Sequence, residues 1–361
     1  MTNLSGKKHI CLVSPSFNIG GIERTMTTLA NYFVSQGCKV SFLSCLDGTP
    51  YYTMDNSIVI YSPVKKRAKG SFGKILSYLR LVFFIRETLK KNNPDRVLCM
   101  ADSYNPIVIL ASLGLRVPVF IGDVTKPDRH FNLFVRLGKR FLYPKSAGFI
   151  AQTNHAANFY RKKFGNKLNL TVINGAVKEM VLHNIPKKNL IISVGRLSFE
   201  KGPDRLINAF SLTNCKNDWK LAFTSDGPMR DQLIKLTRNS EVDRNTLFLG
   251  KIDDIDRLYS EAKIFILPSR MEGFPNALCE AMASGLPCIC FDSFPAHEII
   301  TNGWDGIIVK DGDIREMAKQ IDLLAENEEL RNKLGENALQ IRERLNTEKI
   351  GQQVLNFILK Q

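Results

Sequence analysis

Short apolar segments of strand length alternate with longer amphipathic segments along almost the whole chain. In the first half the predicted strands are His9–Ser14, Lys39–Leu46, Arg96–Met100, Val117–Gly122 and Gly148–Gln152. The predicted helices between them are Glu23–Gln36, Phe72–Asn92 and Asn154–Phe164. In the second half the predicted strands are Leu190–Val194, Lys220–Thr224, Thr246–Leu249, Ile264–Leu267, Cys288–Phe291 and Gly306–Val309. The predicted helices there are Pro203–Leu212, Met229–Asn239, Ile255–Ala262, Pro275–Ser284 and Ile314–Glu326. Strands that alternate with helices form parallel sheets covered on both faces. The predicted fold class is therefore α/β, with two doubly wound, Rossmann-like domains.

The chain of 361 residues is long enough for two domains with separate cores. A polar, proline-containing stretch between residues 174 and 188 marks the boundary. We expect an N-terminal domain over residues 1–175 and a C-terminal domain over 176–345. The terminal segment 346–361 contains an amphipathic helix that we expect to pack back on the first domain. Since ligands of such sheets bind at the carboxyl ends of the strands, the expected site is a cleft between the domains.

Positive charge is concentrated in the first half of the chain. Residues 1–175 contain 25 Lys and Arg but only 8 Asp and Glu, whereas residues 176–361 contain 25 and 27. Such a basic domain favours an anionic partner, either nucleic acid or the anionic leaflet of a membrane. The simpler alternative is that surface lysines aid solubility. The eight cysteines form no CxxC pair, and no signal peptide or transmembrane run is evident, so we expect a cytosolic protein with reduced cysteines.

Two carboxylates lie eight residues apart in the segment Glu272-Gly-Phe-Pro-Asn-Ala-Leu-Cys-Glu280-Ala-Met-Ala-Ser-Gly-Leu-Pro. Pro275 favours a helix start, so Glu272 precedes the predicted helix and Glu280 lies within it. A carboxylate among apolar helical residues needs a partner. Free N–H groups near Gly273 to Asn276 form an anion site at the positive end of the helix dipole. A sugar nucleotide offers matching hydroxyls, phosphates and a ribose, whereas the alternative is an amphipathic helix with one salt-bridged glutamate.

This segment resembles the Glu-x7-Glu signature of the retaining glycosyltransferases of family 4, which have the GT-B fold. Gly-Phe-Pro-Asn lies inside the signature and Ala-Met-Ala-Ser-Gly-Leu-Pro follows it, which makes the match specific. The resemblance implies that Glu272 hydrogen bonds the donor sugar and that Glu280 holds the ribose. The donor-binding residues implied between them are Gly273, Phe274, Pro275 and Asn276.

Arg196 and Lys201 lie in Ser-Val-Gly-Arg-Leu-Ser-Phe-Glu-Lys-Gly, between a predicted strand and a predicted helix. A guanidinium fork and an ammonium group suit the two phosphates of a nucleoside diphosphate. The segment resembles the Gly-Arg-x4-Lys-Gly pattern that binds the donor pyrophosphate in family 4, which implies that role for both cations. The alternative is a solvated loop with two surface cations.

Two further segments match the family less specifically. Ser225-Asp-Gly-Pro resembles the family's Gly-x-Gly-Pro turn, with Ser225 in place of the first glycine, and a plain turn explains it nearly as well. Phe248-Leu-Gly-Lys ends a predicted strand where the family places nucleobase contacts. Gly250 and Lys251 are therefore candidate donor-binding residues.

The N-terminal half contributes a Gly-Gly loop and one departure from the family pattern. Gly20 and Gly21 follow the first strand, and the resemblance implies that their backbone closes over the sugar and diphosphate. Read alone, they form a tight loop. Many family members carry a His after the fourth strand, where this chain has Val124. Asp123 and His130 are the candidates to contact the sugar instead, although neither is in register.

Three segments are strongly basic: Lys65–Lys69, Ser77–Lys91 and Arg129–Lys145. The last two interleave apolar residues with Lys and Arg, as a segment at a membrane interface does. Alternatively, their apolar side chains pack in the core and the cations are solvated. The core interpretation is favoured for Ser77–Lys91, and both stay open for Arg129–Lys145.

Together these features predict a retaining, metal-independent hexosyl- or N-acetylhexosaminyltransferase with Glu272, Arg196 and Lys201 as catalytic candidates. The expected donor is a nucleotide sugar, UDP-linked, and the expected acceptor is a glycan on a polyprenyl diphosphate. We expect no cofactor, since Asp311-Gly-Asp reads as a turn and not as a metal site. The expected setting is bacterial O-antigen or capsule synthesis, with the N-terminal domain on the anionic inner face of the cytoplasmic membrane.

Two alternatives remain at this point. A sugar-nucleotide epimerase of the same architecture would release a free altered sugar nucleotide and need no acceptor. A nucleic-acid-binding protein would use the basic first domain, but it leaves the two glutamates and two cations of the second domain without a role. We therefore expect no nucleic acid partner.

Overall fold

The computed structural model describes residues 7–63, 71–124, 126–129, 131–293 and 295–360, without the side chains of residues 71, 72, 74 and 75. The chain divides into two compact units. Unit 1 comprises residues 1–176 together with 347–361, and unit 2 comprises residues 177–346. The C-terminal segment therefore belongs to the first unit.

Unit 1 is built on a seven-stranded parallel sheet. Its strands are β1 His9–Ser14, β2 Lys39–Ser44, β3 Val59–Tyr61, β4 Arg96–Cys99, β5 Val119–Asp123, β6 Gly148–Ala151 and β7 Leu170–Val172. Their order across the sheet is β3-β2-β1-β4-β5-β6-β7. All six residues of β1 are buried, because a central parallel strand is covered on both faces.

The helices of unit 1 cover both faces of this sheet and include the end of the chain. They are α1 Gly21–Ser35, α2 Ser71–Asn92, α3 Asn105–Ser112, α4 Leu133–Leu142, α5 Asn154–Phe164 and α14 Thr347–Leu359. The terminal helix α14 packs on α1, where a Cβ added to Gly351 would lie 2.4 Å from the Tyr32 ring. Its Phe357 ring meets Phe120 edge-on at 5.6 Å. Small and aromatic residues together thus fix the returning helix.

Unit 2 is built on a six-stranded parallel sheet in the order β10-β9-β8-β11-β12-β13. Its strands are β8 Leu190–Ser193, β9 Lys220–Phe223, β10 Thr246–Phe248, β11 Ile264–Leu267, β12 Cys288–Phe291 and β13 Ile307–Val309. Its helices are α6 Pro203–Ser211, α7 Arg230–Asn239, α8 Ile255–Glu261, α9 Asn276–Ala283, α10 Ala296–Ile299, α11 Ile314–Glu326, α12 Glu328–Ala338 and α13 Ile341–Arg344. The strand order reverses between β8 and β11, which places a topological switch point there.

The expected fold class is confirmed, since both units are parallel, doubly wound sheets. The sequence interpretation missed the edge strands β3 and β7 and the helices α3, α4, α10, α12 and α13. Both missed strands have only three residues, and none of those residues is buried, so they lack the continuous apolar run of a central strand.

Candidate active site

The candidate site lies in unit 2 at the carboxyl ends of β8 and β11, which are neighbours in the sheet. The loop after β8 carries Arg196 and Lys201, and the loop after β11 carries Glu272. A small pocket lies between the two loops, lined by Arg196 and Lys201 from the first loop and by Pro268 and Ser269 from the second. The topological switch point therefore brings two distant sequence motifs into one site.

Close backbone contact locks these two loops together. Gly202 has φ +63°, and a Cβ at this position would lie 2.2 Å from the carbonyl oxygen of Pro268. The Glu200 carbonyl accepts hydrogen bonds from the N–H groups of Arg270 at 2.8 Å and Met271 at 3.2 Å. Only glycine fits the approach, which is a physical reason for the Lys-Gly pair in the motif.

Arg270 adds a side-chain bridge between the same loops. Its guanidinium donates to both carboxylate oxygens of Asp204, at 2.8 and 2.5 Å, and to the Phe199 carbonyl at 2.9 Å. It also lies 4.2 Å from the centre of the Phe199 ring. Although burial alone would raise the pKa of Asp204, the hydrogen bonds and charge of Arg270 lower it below its ordinary value. The sequence interpretation did not identify this pair.

Glu272 is buried, with 7% of its surface exposed, and both of its carboxylate oxygens accept hydrogen bonds. The Lys201 ammonium donates to its two oxygens at 2.7 and 2.9 Å, and the Ser269 hydroxyl donates to Oε1 at 2.7 Å. A buried carboxylate requires such compensation. Because an ammonium group has three donors, Lys201 retains one N–H for a further acceptor while it holds Glu272.

Arg196 differs from its neighbours because its side chain is exposed. No acidic side chain among the described residues pairs with it, and Lys201, five residues on, already neutralises Glu272. The loop therefore presents one unpaired guanidinium at the mouth of the pocket. A site of this kind favours an anionic ligand, and a guanidinium fork suits phosphate.

The helix after Glu272 begins one residue later than expected. Pro275 precedes α9 instead of opening it, and the first helical residue is Asn276. The Asn276 N–H is not free, because it donates to the Phe274 carbonyl at 3.0 Å. The expected set of free amides over residues 273–276 is corrected accordingly, since proline has no N–H and Asn276 is occupied. Gly273 is half-buried, whereas Phe274 and Pro275 are buried.

Glu280 lies inside α9 as expected, and it is buried, with 4% of its surface exposed. The Tyr259 hydroxyl donates to its Oε2 at 3.2 Å and lies 3.3 Å from the Ala277 carbonyl oxygen. This hydrogen bond orients the Glu280 carboxylate.

The two weaker motifs of unit 2 adjoin the Arg196 loop. Ser225 has φ +68°, and its N–H donates to the Gly250 carbonyl at 2.5 Å, so the two turns are bridged. A Cβ at Gly227 would lie 2.2 Å from the Leu197 carbonyl oxygen. The positive φ gives a physical reason for the glycine that the family has at the Ser225 position. Lys251 follows Gly250 and is exposed.

In unit 1, Gly20 and Gly21 lie where the loop after β1 enters α1, at the carboxyl end of the sheet. Gly20 precedes α1 and Gly21 is its first residue. The Glu23 carboxylate folds back over this turn and accepts a hydrogen bond from the Ser16 hydroxyl at 2.7 Å. A Cβ at Gly20 would lie 2.2 Å from Glu23 Oε2, so the glycine makes room for this contact.

Asp123 has its side chain in the interior of unit 1. It ends β5 with a side chain that is 0% exposed, and it accepts hydrogen bonds from Lys139 at 2.9 Å, Tyr143 at 2.8 Å and Asn105 at 2.9 Å, and another from Tyr160. The expectation that Asp123 contacts the sugar is corrected, because its carboxylate is committed to this interior network. His130 lies outside the described residues, and Val124 is half-buried.

The sequence interpretation missed the ion cluster to which Asp123 belongs. Lys139 also contacts Asp102 Oδ1 at 2.5 Å, and all three charged side chains are at most 4% exposed. The sequence did contain a signal for this cluster. Asp102 follows β4 and Asp123 ends β5, and the carboxyl ends of these adjacent strands lie at the same edge of the sheet. Within the described residues no set of His, Cys, Asp and Glu side chains is arranged to hold a metal ion.

Family models match both halves of the chain. The model for Glycosyltransferase Family 4 matches residues 19–179, and the model for Glycosyl transferases group 1 matches residues 178–341. The chain therefore belongs to the family 4 glycosyltransferases, with the group 1 domain as its C-terminal half. The family expected from the Glu-x7-Glu segment is confirmed.

Similar proteins include bacterial polysaccharide enzymes. A Campylobacter jejuni GalNAc-α-(1→4)-GalNAc-α-(1→3)-diNAcBac-PP-undecaprenol α-1,4-N-acetyl-D-galactosaminyltransferase is 26% identical over 92% of both chains. The amylovoran biosynthesis glycosyltransferase AmsD of Erwinia amylovora is 26% identical over 92% of this chain and 94% of its own. Each relative is matched over nearly its full length.

Solved structures share the fold at low sequence identity. The sucrose-phosphate synthase of Thermosynechococcus elongatus has a TM-score of 0.85 at 16% identity, covering 97% of this chain and 98% of its own. Anabaena HepE, crystallised in complex with UDP, has a TM-score of 0.79 at 18% identity, covering 98% and 100%. These likenesses place the chain in the GT-B fold class. Among the described residues, no helix combines the length and the apolar character needed to cross a bilayer.

Proposed function

We propose that this glycosyltransferase transfers a hexose or N-acetylhexosamine from a UDP-sugar, with retention of the anomeric configuration, to a lipid-linked glycan. The acceptor is a glycan on a polyprenyl diphosphate, and the process is bacterial surface polysaccharide synthesis at the inner face of the cytoplasmic membrane. The observation that carries the proposal is the unpaired Arg196 guanidinium, which lines the same pocket as Lys201 of the Lys201–Glu272 pair in the group 1 domain.

The donor half of the proposal follows from charge and hydrogen-bonding capacity. The leaving diphosphate gains negative charge as the glycosidic bond breaks, and Arg196 with the spare N–H of Lys201 stabilises that charge. Glu272 is held beside Lys201, where it accepts hydrogen bonds from the sugar hydroxyls. Glu280 accepts hydrogen bonds from the ribose diol, and its carboxylate can do so while Oε2 also accepts from the Tyr259 hydroxyl.

A retaining transfer without a metal ion is consistent with this arrangement. The acceptor hydroxyl attacks from the face that the diphosphate leaves, so the departing phosphate can take the acceptor's proton. The two cations take the part that a divalent metal plays in other transferases, because they neutralise the same phosphates. The reaction thus requires no cofactor.

The acceptor half rests on relatives and on charge. The Campylobacter relatives are named for acceptors linked to undecaprenol through diphosphate, and they share about a quarter of their residues with this chain. The strongly basic first half of the sequence suits an anionic lipid surface.

Calorimetric titration of the full chain with UDP, GDP and ADP tests the donor site. We expect UDP to bind most tightly, and Arg196→Ala to weaken it about tenfold or more without lowering the melting temperature, because the Arg196 side chain has no acidic partner to lose. Glu280→Gln should weaken UDP similarly while preserving the Tyr259 hydrogen bond. The matched controls are Arg238→Ala and Glu326→Gln, which alter exposed residues outside the pocket. Equal binding of all three nucleotides by every variant would refute the assigned site.

Product analysis separates transfer from epimerisation. With a UDP-sugar and a polyprenyl-diphosphate-linked glycan in detergent, a transferase extends the lipid-linked glycan, and NMR of the new linkage shows an α-anomer if the donor is an α-linked UDP-sugar. An epimerase instead releases an altered UDP-sugar without any acceptor. Formation of that free product alone would favour the epimerase.

A further inference from the structure

Helix α4 of unit 1 is attached with its apolar side outward. Of its ten residues, only Lys139 is buried, at 3% exposure. The large apolar side chains Leu133, Phe134 and Phe141 are 61%, 79% and 62% exposed. This is the reverse of an ordinary surface helix, which turns its apolar stripe towards the core.

The buried ion cluster explains why the lysine faces inward. Lys139 lies between Asp102 and Asp123, and the three side chains have no more than 4% of their surface exposed. Next to it, Gly138 brings α4 against α3, since a Cβ there would lie 2.8 Å from Pro106 Cβ. Turning the helix to bury its phenylalanines would withdraw the ammonium from two buried carboxylates, and such a loss is strongly unfavourable. Lys139 therefore determines which side of α4 faces outward.

Cations accompany the exposed apolar side chains. Arg136 and Arg140 lie on α4 and Lys163 lies at the end of α5, and all three are exposed. No acidic side chain in the described parts of the chain pairs with them. Burial, together with the like charges of Lys139, Arg136 and Arg140, lowers the pKa of Lys163. This concentration of positive charge is complementary to an anionic surface.

We infer that α4 is the surface with which unit 1 docks on an anionic lipid bilayer, and that Lys139 is the positioning residue of that surface. The inference rests on the proposed function, whose lipid-linked acceptor lies in such a bilayer. Phenylalanines beside arginines fit the boundary between acyl chains and lipid phosphates. A second copy of the chain would oppose these cations with cations, and nucleic acid offers no counterpart for the apolar side chains.

Vesicle co-sedimentation of the full chain tests the docking surface. We expect binding to phosphatidylcholine vesicles that contain phosphatidylglycerol, weakened by salt, and little binding to phosphatidylcholine alone. The double variant Phe134→Ser/Phe141→Ser should lose about tenfold or more of this affinity. The matched control is Leu212→Ser in unit 2, which removes a side chain that is 56% exposed and should change nothing. Wild-type affinity in the double variant would overturn the inference.

The positioning role of Lys139 needs a separate measurement. In a Phe134→Trp parent, corrected for Trp219 and Trp304, anionic vesicles should shift the emission of the introduced tryptophan to shorter wavelength. Adding Lys139→Gln should abolish this vesicle-induced shift. Adding Asp102→Asn, which retains the pair of Lys139 with Asp123, should preserve it. A full shift in the Lys139→Gln protein would overturn the positioning role.

Two further measurements keep this inference distinct from the proposed function. UDP affinity, a property of unit 2, should be unchanged in the Phe134→Ser/Phe141→Ser variant, and transfer to a detergent-solubilised acceptor should persist. Vesicle binding without UDP binding would refute the proposed function and leave the surface intact. Self-association that this double variant abolishes, in the absence of vesicle binding, would identify a second copy as the occupant and overturn the inference.

Discussion

Replacing Asp102 by asparagine is expected to stabilise unit 1 at neutral and alkaline pH. Asp102 and Asp123 share one buried cation, Lys139, so the cluster has a net negative charge when both carboxyls are ionised. Burial and the charge of Asp123 raise the pKa of Asp102 from 3.8 to about 7, despite the opposing effect of Lys139. The protonated carboxyl is therefore the form that the folded interior prefers.

The magnitude follows from the difference between folded and unfolded pKa values. A rise from 3.8 to about 7 corresponds to ~4 kcal/mol at 1.36 kcal/mol per pH unit. Because the folded value is the higher one, this contribution to the free energy of unfolding is complete below about pH 4 and is lost as the pH rises to about 7. Asparagine imitates the protonated acid, since its oxygen accepts from Lys139 and its N–H₂ donates to Asp123. The expected gain is near zero at pH 4 and up to ~4 kcal/mol at pH 8.

The same substitution at Asp123 is expected to do the opposite. Burial by itself would raise the pKa of Asp123, but the Lys139 charge and the hydrogen bonds from Asp102 and Tyr160 lower it below its ordinary value. Its oxygens accept from Lys139, Tyr143 and Tyr160, as well as from an amide. An asparagine would direct its own donors at these donors. We expect Asp123→Asn to destabilise unit 1 by about 3 kcal/mol.

Hydrogen–deuterium exchange of peptides spanning β5 and α4 is the appropriate assay. Both tryptophans, Trp219 and Trp304, lie in unit 2, so intrinsic fluorescence would follow the wrong unit. Variants are compared with wild type at each pH, which cancels the intrinsic exchange rate. At pH 8 these peptides should exchange more slowly in Asp102→Asn than in wild type, and faster in Asp123→Asn. If Asp102→Asn accelerates exchange at pH 8 as much as Asp123→Asn does, the assignment of the shared proton is wrong.

Three further predictions concern unit 2. Gly202→Ala should lower the free energy of unfolding by about 2–3 kcal/mol in tryptophan-detected denaturation, because the added Cβ meets the Pro268 carbonyl oxygen. Gly312→Ala, at φ +78° and with no atom within 4 Å of the added Cβ, should lower it by only about 1 kcal/mol, and equal losses would exclude the Pro268 contact as the cause. Arg270→Ala should reduce the transfer rate about tenfold or more, and Arg270→Lys should not restore it, because a lysine ammonium cannot bridge both oxygens of Asp204 as a guanidinium does. A wild-type transfer rate in Arg270→Lys would contradict the role assigned to the bidentate contact. Ser225→Gly should leave the protein as stable as wild type or up to ~1 kcal/mol more stable, as judged by melting temperature, because φ is +68°.

Much of the fold could be predicted because its strands and helices follow from local sequence patterns. The buried strands β1, β11 and β12 have the predicted bounds, and so do helices α5 and α11. Continuous apolar runs and amphipathic periodicity are properties of neighbouring residues, so they can be recognised in the sequence without knowledge of the tertiary structure. The short edge strands β3 and β7 lack such runs and were found only in the structure.

The candidate site was partly predictable for the same reason. Arg196, Lys201 and Glu272 lie in motifs whose spacing is local, and the parallel sheet brings them to one edge. Arg270 and Ser269 were not predicted, although they support the same residues. Their role depends on which loop they face, and that is set by the adjacency of β8 and β11.

The sequence by itself determined that residues 129–145 combine apolar and cationic side chains, and it left open whether the apolar ones face the core or the surface. Only the tertiary structure decided this point. Periodicity shows which side chains share one side of a helix, but the packing partner determines which side turns inward. Here that partner is the pair Asp102 and Asp123, which the carboxyl ends of the adjacent strands β4 and β5 bring together. They hold Lys139 in the interior, so the phenylalanines of α4 face outward.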